Sequence, residues 1–71
     1  MQLTQYKVHK VEDNGGSRYF VFWLNKTDLE IGEYFKLEND LTEYFVDRKY
    51  DTIDTTAIDF SKIEQDVRKV L

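Results

Sequence analysis

The residue best equipped for chemistry at neutral pH is His9, the only histidine, as a general base or an imidazole ligand. It stands between Val8 and Lys10 in an alternating stretch, where a solvated strand side chain is the simpler reading. Ser17, Ser61 and several aspartates formally complete a Ser/His/Asp triad, but no nucleophile elbow surrounds either serine. The carboxylate pairs Asp51/Asp54 and Glu38/Asp40 suit a divalent cation or proton transfer. Neither matches a calcium loop, and solvated acidic turns explain both. Gly15-Gly16 reads as a turn, not as a phosphate loop. With no cysteine and one histidine, the chain has no Cys/His set for structural zinc. The reading is therefore of a chain that is not an enzyme and needs neither cofactor nor metal.

Contact chemistry is better supplied. Eleven of 71 residues are aromatic, more than a thin core usually hides. Tyrosine and tryptophan combine large contact area with a polar handle, which favours interfaces. Tyr19, Trp23, Tyr34 and Tyr44 are the candidate anchors, with Asp47 on an acidic rim. The bland alternative is that these rings line both sides of a curled sheet.

The net charge of −4 disfavours nonspecific binding to nucleic acid or anionic membrane. Residues 28–59 carry ten acidic and three basic side chains, between mildly basic ends. That acidic block permits mimicry of a nucleic-acid backbone, although an ordinary solubilising surface accounts for it equally well. Lys7, Lys10, Arg18, Tyr19 and Trp23 interleave charge with rings, as a small barrel binding single strands requires. The longest apolar run, Tyr19–Leu24, is too short to span a bilayer, and the N-terminus lacks a leader pattern, so a cytoplasmic location is expected.

Residues 1–71 read as one domain. Residues 3–12 alternate as a strand, and Asp13-Asn14-Gly15-Gly16 is a hairpin signal, because Asn and Gly adopt positive φ cheaply. The returning strand, 18–24, is apolar on both faces, Phe20/Phe22/Leu24 and Tyr19/Val21/Trp23. Such a strand is normally covered on each side. Thr27-x-x-Glu30 resembles a capping box and suggests one helical turn. Strands are expected at 33–37 and 42–50, with a turn at Glu38-Asn39-Asp40 and a short fifth strand at Thr52–Asp54. Phe60, Ile63, Val67, Val70 and Leu71 fall on one face at helical period. Ser61-x-x-Glu64 offers a cap, so a C-terminal amphipathic helix is expected over 60–71.

Tyr6-Lys7-Val8, Gly15-Gly16, Trp23-Leu24, Ile31-Gly32 and Tyr34-Phe35-Lys36-Leu37 follow one another in a spacing that resembles small proteins encoded in phages and prophages of Gram-positive bacteria. No proline follows Trp23-Leu24, and Tyr44-Phe45-Val46 stands where those proteins usually have a tryptophan strand. The resemblance implies a small early-type phage protein, in the host cytoplasm, that binds and modulates a host factor. It carries over no binding residues.

Taken together, these readings predict an α+β domain: a strongly bent antiparallel sheet or SH3-like open barrel of four to five strands, with one C-terminal helix. The expected function is a non-catalytic protein-binding module, in the form of a phage-encoded inhibitor or modulator of a host or defence protein. The alternatives are a single-stranded nucleic-acid-binding barrel, an acidic nucleic-acid mimic, and a homodimer joined through its exposed sheet face.

Overall fold

The computed structural model describes residues 1–56 and 66–71. Strands β1 (Gln2–Val11) and β2 (Ser17–Leu24) form the expected hairpin. Gly15 sits at φ +84°, a conformation that strains residues bearing a Cβ. Its N–H donates to Glu12 O at 2.9 Å, and Asn14 Oδ1 accepts from Gly16 N–H at 2.9 Å. Turn chemistry written in the sequence therefore sets the register, which runs from Thr4 opposite Leu24 to Val11 opposite Ser17.

β3 (Tyr34–Leu37) and β4 (Asp40–Asp54) form a second hairpin through Glu38-Asn39. β4 also pairs with β1 along most of its length, which gives the order β3-β4-β1-β2. The residues expected as a separate strand, Thr52–Asp54, are the end of β4, paired to Gln2–Thr4. Fifteen residues of straight strand would measure about 46 Å at about 3.3 Å per residue. The molecule extends 41 Å along its longest principal axis, so β4 runs nearly its full length. Register shifts between Thr4 and Tyr6, and between Lys7 and Val8, mark where the pairing is interrupted and the sheet curls.

Curling puts one side of every strand inside. Tyr6 and Val8 of β1 meet Phe22 and Leu24 of β2, Phe35 and Leu37 of β3, and Tyr44 and Val46 of β4, and Thr4 of β1 is also buried. Leu29 joins them from the segment between β2 and β3, where it is 1% exposed. The predicted helical turn there is corrected: Lys26–Glu30 has no regular structure, and its role is to insert Leu29. The buried hydroxyls are satisfied. Tyr6 donates to Lys26 O at 2.8 Å, and Thr4 and Thr52 share a hydrogen bond of 2.7 Å.

The C-terminal helix is the main correction. Its first part, 60–65, lies outside the described residues. Residues 67–71 are not helical: β5 (Val67–Arg68) runs parallel to β2 at Trp23–Leu24, and Val70 bridges Leu37 of β3. Glu38 N–H donates to Lys69 O at 2.9 Å, and Leu71 N–H to Lys36 O at 2.8 Å. The sheet is thus mixed rather than antiparallel, in the order β3-β4-β1-β2-β5. Helical period in this segment competes with two sheet edges whose N–H and C=O groups need partners. The β-branched Val67 and Val70 suit the edges better than a helix. The result is a half-barrel in which one short segment bonds to both β2 and β3, the two ends of its antiparallel part.

Candidate functional site

Alternation along the strands sends a second set of rings outward. Tyr34 of β3 lies opposite Phe45 of β4, Phe45 opposite His9 of β1, and His9 opposite Tyr19 of β2. Four rings therefore cross four strands in one row. Tyr34 and Phe45 are 6.4 Å apart between centroids, Phe45 and His9 5.3 Å and nearly parallel, and His9 and Tyr19 5.7 Å. All three spacings are those of favourable ring pairs. The end rings, Tyr34 and Tyr19, are 61% and 59% exposed. Lys7 Nζ lies 5.4 Å from the centre of the Tyr19 ring.

The middle of the row is held from below. His9 Nδ1 lies 2.8 and 2.9 Å from the two carboxylate oxygens of Asp47. A carboxylate only accepts, so Nδ1 carries the hydrogen. This fixes the imidazole plane against Phe45.

The five residues expected at the interface separate into four groups. Tyr19 and Tyr34 are exposed ends of one row. Trp23, half-buried, lies further along β2 on the same outward face, beyond the exposed Val21. Asp47 is on this face but is committed to His9. Tyr44 is on the inward side, 4% exposed, and takes no part in the row. His9, read from the sequence as a solvated strand side chain, and Phe45 complete the row. Alternation placed each ring on a face, but only the pairing of β1 with β4 brings Phe45 beside His9.

The inward rings form their own cluster around Tyr44. Phe20, Phe22 and Phe35 lie 5.9, 5.7 and 5.6 Å from it. Tyr44 donates its hydroxyl to Asp40 Oδ2 at 2.7 Å, and Thr42 N–H donates to Asp40 Oδ1 at 3.0 Å. These bonds, the Tyr44 hydroxyl first, hold the Asp40 carboxyl down at about 2. Burial, with the same carboxylate beside it, pushes the Tyr44 phenol up to about 12.

Among the described residues, no group of three or more His, Asp or Glu side chains is placed to hold a metal ion, and no helix is long and apolar enough to cross a membrane. Comparison with protein-family models, with curated proteins and with solved structures finds no match.

Proposed function

We propose that this chain is a non-catalytic protein-binding module that presents the row Tyr34–Phe45–His9–Tyr19 to another protein. The observation that carries this reading is the row itself: two tyrosines more than half exposed, held at fixed spacing by a histidine and a phenylalanine between them. Rigid amphipathic rings lose little entropy on docking, which is why they dominate binding energy at interfaces. Val21 and the partly open Trp23 extend the apolar strip along β2. Lys7 and Arg48 on one hand, and Glu43 and Asp47 on the other, give its surroundings both signs of charge. That suits a protein partner better than a polyanion. The resemblance to small phage and prophage proteins supports a host or defence protein in the cytoplasm as that partner.

The test compares the wild type with Tyr19→Ser/Tyr34→Ser, two changes at exposed rings that each give up one ring pair, at about 0.5–1.5 kcal/mol per pair, so folding of the variant is checked first. A partner captured by the wild type, then shown to bind the purified chain, is lost by the double variant. Equal binding by a normally folded double variant overturns the reading. If sedimentation shows concentration-dependent association of the wild type but not of the variant, the partner is a second copy of the chain.

A further inference from the structure

One step along the strands from the ring row lies a second rank of outward side chains. Lys7 of β1 stands directly opposite Val21 of β2 on one side and Arg48 of β4 on the other. Cross-strand partners share a face, so Val21, Lys7 and Arg48 run beside Tyr19, His9 and Phe45. Val21 is 45% exposed, Lys7 is half-buried and Arg48 is exposed. Val21 and Tyr19 make an apolar strip along β2, and the two cations border it. Lys7 also lies over the Tyr19 ring, so the cationic rank and the ring row meet there.

Like charges directly opposite each other destabilise a sheet, and a nearby carboxylate is the usual relief. Asp47 is next to Arg48 in the chain, but both its oxygens are held by His9 Nδ1. Among the described residues neither Lys7 nor Arg48 is in an ion pair. Glu43 lies beyond Phe45, on the far side of the ring row. The face therefore offers two unrelieved cations beside exposed apolar side chains. A carboxylate set between them gains charge-assisted hydrogen bonds, two of them from one guanidinium, and relieves the like-charge contact. Val21 and Tyr19 then receive an apolar side chain beside it. The Asp47 and Glu43 carboxylates on the same face repel a continuous polyanion, so a single carboxylate within a polypeptide fits better than a nucleic acid.

We infer that the partner docks on this face through an acidic segment, with an aspartate or glutamate between Lys7 and Arg48 and an adjoining apolar side chain on Val21 and Tyr19. The inference rests on the reading of the ring row as a protein-binding surface and names the chemistry of what binds there.

The test pans a library of random dodecapeptides against the full chain, then titrates the most enriched peptide into isotope-labelled protein. Enriched sequences are expected to join Asp or Glu to large apolar residues, and the peptide to move the amides of Lys7, Tyr19, Val21 and Arg48. Its neutral version, with Asn and Gln in place of Asp and Glu, should bind at least about tenfold more weakly, and the acidic peptide should weaken as salt rises. Lys7→Gln/Arg48→Gln should bind the two peptides alike, with a melting temperature unchanged or higher because the like-charge contact is gone. Merely structural cations would leave that discrimination intact. The inference fails if panning enriches no acidic sequence, if the neutral peptide binds the wild type as well as the acidic one, or if oligothymidylate displaces the peptide from these amides. A neutral peptide that binds equally well and is lost by Tyr19→Ser/Tyr34→Ser overturns the carboxylate contact and leaves the ring row standing. Full binding of the acidic peptide by a folded Tyr19→Ser/Tyr34→Ser overturns the ring row and leaves the carboxylate contact standing.

Discussion

His9 Nδ1 donates to both carboxylate oxygens of Asp47, at 2.8 and 2.9 Å, and the imidazole so held stacks on Phe45 at 5.3 Å. A half-buried charge-assisted bond thus orients the middle of an otherwise apolar row. Asp47→Ala should cost about 1–2 kcal/mol in urea denaturation, because the imidazole loses its acceptor. It should also alter the ring-current shifts of Phe45 and Tyr19. Unchanged shifts would mean that Asp47 does not position the row.

Tyr44 and Asp40 predict a pH dependence of known sign. Asp40 is held at about 2, below its ordinary 3.8, so its contribution to stability is complete above that ordinary value. It is lost as pH falls toward about 2, where the folded state also binds the proton. Tyr44 has the opposite sign: its contribution is complete below 10 and lost as pH rises toward about 12. Tyr44→Phe should therefore flatten the denaturation midpoint at both ends of the pH range. An unchanged acid limb would refute the role of the Tyr44 hydroxyl.

Leu29 predicts a large effect from a segment without regular structure. It is 1% exposed and packs into the core cluster between β2 and β3. Leu29→Ala should cost about 2–5 kcal/mol, through lost burial and the cavity left behind. An exposed neighbour such as Ile31, changed to alanine, should cost less than about 0.5 kcal/mol. Equal effects in thermal melts would show that the segment does not anchor the core.

Much of this fold is legible in residue types, and the failures share one cause. The Asp13–Gly16 turn and the division of β2 into two faces follow from local chemistry and alternation. What escapes is every feature decided by a distant partner. Asp51–Asp54 looks polar and shapeless until the N-terminal residues of β1 pair with it. Thr27–Glu30 carries a cap pattern, yet the burial of Leu29 overrides it. Val67 and Val70 sit on a helical face, but the edges of β2 and β3 claim their backbone. In the candidate site, Tyr19 and Tyr34 were recognisable as contact rings. Their union through Phe45 and His9 depends on strand order, which periodicity does not encode.

Asn25 and Val70 test that edge. Asn25 Oδ1 accepts from Val70 N–H at 2.8 Å, next to the bridge between Val70 and Leu37. Asn25→Ala should cost about 1 kcal/mol and speed hydrogen exchange at Val70 and Leu71 well above that at Tyr6 or Val8. Uniform acceleration across the sheet would instead indicate that the segment opens only with the whole molecule.

The tie between β2 and β3 also sets an order of events at the ribosome. β1 and β2 emerge early and can pair at once, and β3 and β4 can follow them. Residues 66–71 leave the exit tunnel only after residues 1–56, so during synthesis β2 and β3 carry uncovered backbone that invites pairing with another nascent chain. The same short segment that completes the half-barrel therefore makes the interval before its release the period of greatest exposure to misassembly.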